Sequence, residues 1–240
     1  MAAGVLGVAL GAVGQLQEAQ AKLLTSQSRG QVQLAGPAPV TPAGTPGDAT
    51  SYAFLSHAQD GDPTRWDPCT PIAVLLNPSG APGGAVEDLL AALAQITTAT
   101  GLPITYLGTT DLAPTTQYTS SHVEGYDGYP PVLLAWVTPE SGVLGEREAG
   151  RAYTLHTADR VVAAMAVFNS ALETPHDAAS GTPGSRAGLY LHELGHVVGL
   201  DHVDDEGQVM HSTADALATL AAGDLTGLAA LGAPACPRAS

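Results

Sequence analysis

The sequence predicts an α+β fold, and three observations carry that reading. Short apolar runs bounded by turn residues recur between residues 71 and 169, one stretch among them has helical spacing, and a second helical stretch follows the last run. The first run, PIAVLLN from Pro71, is closed by Asn77-Pro78 and fits a buried strand. After Gly83 and Gly84, apolar residues fall at Val86, Leu89, Leu90, Leu93 and Ile96, the spacing of one helix face, with Gly101 placed as the stop. ITYLG from Ile104, PVLLAWV from Pro131 and RVVAAMAVFN from Arg160 read as three further strands. Residues 109–130 and 139–159 are polar and turn-rich, a composition that fits either a hairpin or a cover over a cleft.

A chain of 240 residues, 45% hydrophobic, is long enough for one domain with a substantial core and an appendage. With 8 Lys+Arg against 23 Asp+Glu, the net charge of -15 repels phosphate backbones and anionic headgroups, which argues against nucleic acid as a partner. The acidity itself reads as a solubility device. The opening MAAGVLGVALGAVGQLQEAQA has the length of a signal-peptide apolar region and closes on the small-x-small pattern Ala19-Gln20-Ala21 before Lys22. No Lys or Arg precedes Lys22, so a displaced start, a weak export signal and an N-terminal helix of other use all stand open, with export favoured. The run is too short and too rich in Gly and Ala to read as a membrane span. Residues 1–35 are therefore taken as a signal or N-terminal segment and residues 36–51, which carry GPAPVTPAGTPGDAT, as a Pro/Gly-rich linker. Residues 52–240 form the domain.

Residues 192–202, HELGHVVGLDH, hold the chemistry. On a helix, residues four apart share a face, so His192 and His196 present both imidazoles to one point. That is the reach of a zinc ion bound at about 2.0–2.1 Å per nitrogen. Gly199 supplies a conformation that ends the helix and turns the chain, bringing His202 in from another side. Three neutral histidines leave one tetrahedral position open, the pattern of catalytic zinc. Glu193 points beside the metal, where a carboxylate takes a proton from water and later passes it to a leaving amine. A chance match at all five positions has odds on the order of one in 10⁵. The back of this helix, Leu191, Leu194 and Val198, should bury against the sheet, and close approach of a strand would explain Gly188 and Gly195.

These eleven residues resemble the extended zinc motif of the metzincin metalloproteases, and the HELGH..GLDH wording is most similar to the matrixin branch, in its bacterial secreted form. The specific part of the likeness runs over residues 189–232, and a weaker part reaches back to Tyr52. It implies a twisted mixed β-sheet with helices on one side, a zinc-binding helix, a methionine turn and a C-terminal helix. Met210, eight residues after His202, stands where the methionine turn belongs and is by resemblance the floor of the site, not a ligand. LAAGDLTGLAALG from Leu220 is similar to the final helix, with Asp224, Leu225, Gly227, Leu228 and Leu231 in matching places. Ser212 stands where astacin-like and serralysin-like members have a ligating tyrosine, and His211 where matrixins commonly have tyrosine. The animal matrixins' cysteine-switch propeptide is absent. In the family's binding mode an extended peptide adds alongside an edge strand, for which PVLLAWV is the candidate.

Cys69 and Cys236 sit at the two ends of the domain, and in an exported protein the pair most simply forms one disulfide. A latent thiolate cap on zinc by Cys69 and a reduced cytosolic pair are the lesser readings. His57, His122, His156 and His176 lack ligand spacing and read as surface histidines. Asp204, Asp205 and Glu206 could bind calcium, but read first as a solvated loop, and residues 60–63 as a turn. The whole implies an exported, monomeric, zinc-dependent endopeptidase acting on protein or peptide substrates, with one catalytic ion. The alternative is a non-proteolytic zinc-binding extracellular interaction module, which has no need of Glu193.

Overall fold

The computed structural model describes residues 32–34, 45–172, 185–213, 217, 219–234 and 236. Its elements in chain order are β1 (Val32–Leu34), β2 (Ala53–Phe54), β3 (Ile72–Asn77), α1 (Ala85–Thr100), β4 (Ile104–Thr109), β5 (Val132–Val137), β6 (Gly150–His156), β7 (Val161–Asn169), α2 (Arg186–Val198), β8 (Leu200–Asp201) and α3 (Ala222–Gly232). The class is α+β. A twisted six-stranded sheet runs in the order β1-β4-β3-β5-β7-β6, with β4, β3, β5 and β7 parallel and an antiparallel strand at each edge. β2 and β8 form a separate antiparallel pair.

Strand alternation builds two cores. Val74, Leu76, Val132, Leu134, Trp136, Ala164, Ala166 and Phe168 face α1 and α2 and pack with Leu89, Leu93, Ile96, Tyr190, Leu191 and Leu194. Leu75, Leu133, Ala135, Val137, Met165 and Val167 face the other way, where Tyr118, Val123, Val143 and Leu144 cover them. The turn-rich stretches are thus the lid of the sheet's second face, and residues 150–156 of the later one form the edge strand β6, which returns into β7 through a turn closed by Thr157 N–H donating to the Arg160 carbonyl (2.8 Å).

This arrangement corrects the expectation for the edge. PVLLAWV is an interior strand, hydrogen-bonded to β3 on one side and β7 on the other, and all six residues of β5 are buried. Its unbroken apolar run is the signature of a strand covered on both faces, which an edge does not need. The edge beyond β7 is β6, whose sequence GRAYTLH is half-buried along most of its length.

α1 starts after Gly84 and ends at Gly101, both at positive φ, and Gly101 N–H returns to the Thr97 carbonyl (2.8 Å). The start of α2 is tied to α1 by a buried ion pair, Arg186 to Asp88 (3.3 Å), with Arg186 also donating to the Gly83 carbonyl (2.9 Å). Upstream of Tyr52, β1 pairs with β4, and the Pro46 and Asp48 carbonyls accept from Ala222 N–H (2.9 Å) and the Gln208 amide (3.2 Å). Among the described residues no helix is long and apolar enough to cross a membrane.

Cys69 and Cys236 form a disulfide across a sequence separation of 167. Closing a loop of that length removes about 5 kcal/mol of unfolded-state entropy in the chain model. Reduction with dithiothreitol is therefore expected to lower urea-unfolding stability by several kcal/mol; an unchanged midpoint would show that the bond holds nothing the domain does not already hold.

Candidate metal centre

The centre is assembled by one helix and its abrupt end. α2 presents His192 and His196 from the same face. Gly199 then takes φ 124°, its N–H shared between the Gly195 and His196 carbonyls (3.1 Å each), and the chain leaves as β8, pairing with β2. A Cβ at this position would also press on Leu231 at 3.1 Å. One residue past β8, His202 points back to the first two histidines. The three Nε2 atoms lie 3.1, 3.1 and 3.2 Å apart.

The tautomers follow from the partners. His192 Nδ1 donates to the Val209 carbonyl and His196 Nδ1 to the Leu200 carbonyl, both at 2.8 Å, because a carbonyl can only accept. Neutral rings so fixed turn their Nε2 lone pairs towards each other. Burial pulls His192 below the ordinary histidine range, and burial with repulsion from His192 takes His196 to about 4. Two lone pairs aimed at one point, with His202 Nε2 completing the triangle, suit a cation held between the three nitrogens. A tetrahedral ion bound at about 2.0–2.1 Å has nitrogen–nitrogen edges of about 3.3–3.4 Å, close to those observed. The site therefore fits a borderline-soft divalent ion such as zinc, and its all-nitrogen donors do not suit calcium. Among the described residues it is the one group of three or more side chains that could hold a metal ion.

Glu193 lines the same cleft as the three histidines and is buried (5% exposed), packed against Gly150 of β6. A Cβ at Gly150 would lie 2.8 Å from Glu193 Cγ, so the edge strand comes as near as a glycine allows. Burial, then repulsion from Glu148, raises this carboxyl to about 8, against the Ala152 backbone N–H and Arg151, which favour its charged form. Glu193, the three histidines, β6 and Leu189 line one open cleft of about 710 Å³.

Met210 lies under the helix, buried, with its sulfur where a Cβ on Gly195 would be 2.5 Å away. Gly195 is thus explained by the methionine and not by a strand. The Met210 turn is held from below by Asp224 of α3, whose carboxylate accepts from the N–H groups of Val209 (2.8 Å), Met210 (3.2 Å) and Ala221 (2.8 Å). Asp224 is the functional support that sequence reasoning placed in the final helix without a role. Its one signal is a lone acid in an apolar helix. Removing it strands three buried donors, so Asp224→Ala is expected to cost about 3–5 kcal/mol in urea unfolding. A loss below about 1 kcal/mol would show that the turn is held otherwise.

The remaining candidates fall outside the centre. His57 and His122 are exposed. His156 is half-buried, with Nε2 2.8 Å from Thr154 Oγ1, and is no plain surface residue. His176 lies outside the described residues. Asp205 accepts from Gly207 N–H (2.8 Å) and the Gln208 amide (2.9 Å), so it shapes the loop that leads to Met210. Ser212 lines the cleft, and His211 bonds Thr213 (3.1 Å).

No family model and no curated protein matches the chain. Among solved structures it is similar to the crystal structure of metalloproteinase-II from Bacteroides fragilis, at 16% identity and a TM-score of 0.42, over 77% of this chain and 58% of that one. The chain thus spans a little over half the length of that protein.

Proposed function

We propose that the protein is a zinc-dependent endopeptidase of the metzincin type, with the matrixin-like motif of the bacterial secreted members, acting on extracellular proteins or peptides as a monomer. The observation that carries this is the convergence of three imidazole Nε2 atoms, two of them on rings whose tautomer is fixed by a backbone carbonyl, beside a buried carboxylate at the edge of a sheet. His192, His196 and His202 would hold the ion. Zinc in such a site supplies Lewis acidity, lowering the pKa of water towards neutrality and polarising a carbonyl.

The chain's own groups do the rest. Glu193 takes the proton from the attacking water and returns it to the leaving amine. The free side of β6 offers backbone N–H and C=O groups to an extended substrate, which holds the scissile bond over Glu193. Met210 and Asp224 fix the floor. A binding module would have no use for a buried base facing the cleft. The disulfide supports an oxidising, extracellular setting, and with it an export segment within residues 1–35. The catalytic body reaches upstream of Tyr52, since β1 and the contacts of Pro46 and Asp48 join it.

The test is metal-dependent turnover of an unfolded protein. The full chain treated with a chelator is expected to be inactive, one equivalent of zinc to restore cleavage, and calcium alone to restore none. Undiminished cleavage by chelated protein would remove the proposal.

A further inference from the structure

The charges around the cleft are not evenly satisfied. Four of the five arginines among the described residues have acidic partners: Arg65 with Asp62, Arg151 with Glu148, Arg160 with Asp67, and Arg186 with Asp88. Arg147 has no ion-pair or hydrogen-bond partner among the described residues. It is exposed, lines the cleft, and belongs to the turn that Glu148 N–H closes on the Gly145 carbonyl (3.1 Å) just before β6. Among the described residues, the acids that share the cleft are otherwise engaged. Glu148 is taken up by Arg151 Nε (2.8 Å) and Gly145 N–H (2.9 Å), and Asp201 accepts from His202 N–H (2.8 Å). Glu193 is buried against Gly150. Glu146, the exposed neighbour of Arg147, is not part of the cleft lining.

We propose that Arg147 is a substrate-binding residue that selects an acidic side chain in the bound peptide, on the carboxyl side of the cut. The inference rests on the endopeptidase reading for the word "cut", but the charge selection itself does not. Its geometry follows from β6. Antiparallel addition is the more stable pairing at a strand edge, so a peptide there runs opposite to β6. Its carboxyl-terminal half then passes the start of β6, where Arg147 stands, while the reacting bond lies by Glu193 and Gly150. Arg147 precedes Gly150 by three residues and sits in the turn before the strand, so the selected position lies a few residues beyond the bond. The chain's net charge of -15 does not cancel this, because at physiological salt charges are screened beyond about 8 Å and the nearest unpaired group decides. An exposed pair of this kind discriminates opposite from like charge by roughly three- to tenfold.

The experiment uses the zinc-loaded full chain and peptide sets carrying Glu, Gln or Lys at each position from the second to the sixth beyond a cleaved bond. Cleavage and equilibrium binding, by fluorescence anisotropy, are both read. Glu is expected to be preferred over Lys by roughly three- to tenfold at one or two positions, less so at 0.5 M salt. Arg147→Gln should flatten that preference and Arg147→Glu invert it. Cleavage with no charge preference, or a preference unchanged in Arg147→Glu, overturns the inference and leaves the peptidase standing. Charge-dependent binding that follows Arg147 without any cleavage supports the inference and removes the peptidase. Neither cleavage nor charge-dependent binding removes both.

Discussion

Glu193→Gln is expected to lower kcat/KM for peptide cleavage by about 10²–10⁴-fold while leaving the fold and one zinc per chain in place. Glutamine keeps the size of the side chain and an oxygen to accept from the Ala152 backbone N–H, so its burial against Gly150 is undisturbed. It loses the ability to carry a proton at neutral pH. The comparison thus separates proton transfer from architecture. Circular dichroism and metal analysis should be unchanged and turnover nearly absent. Activity within tenfold of the parent would mean that some other group accepts the proton and that Glu193 is a packing residue.

His196→Ala should act in the complementary way, removing both the metal and turnover. His196 faces the other two imidazoles and is held by the Leu200 carbonyl, so its loss opens one corner of the triangle and leaves that carbonyl unpaired. Loss of a supporting partner alone typically costs about 10–100-fold in metal affinity, and a ligand should cost more. Competition with a chromogenic chelator measures it. Retention of parental affinity would show that the metal is held elsewhere, and the three converging nitrogens would need another explanation.

The site was readable in the sequence because its geometry is local. His192 and His196 share a helix face by spacing alone, and Gly199 reverses the chain within three residues of His202, so no long-range contact has to be known. α1 was readable for the same reason, from the period of Leu89, Leu93 and Ile96 and the stop at Gly101. What was not readable depends on neighbours far along the chain. The apolar run of β5 announces burial but not position, so the sequence offers it as the edge when it is central. The true edge, β6, carries Arg151, Thr154 and His156 because one side of it meets solvent, and that same polarity made it look like loop. Gly195 is a glycine because of Met210, fifteen residues later, and Asp224 is an acid because two N–H groups of the Met210 turn, besides that of its own helix's cap, end on it. Helical spacing marks the faces that pack; it does not say what they pack against.

The central claim is that this cleft cuts peptide bonds within a chain. The direct measurement is incubation of the zinc-loaded full-length protein with a mixed peptide library, the new termini being read by mass spectrometry. Cuts in the interior of peptides, absent after chelation and recovered with zinc, are what the account expects. A folded, zinc-bound chain that leaves the library intact, or trims only terminal residues, would contradict it.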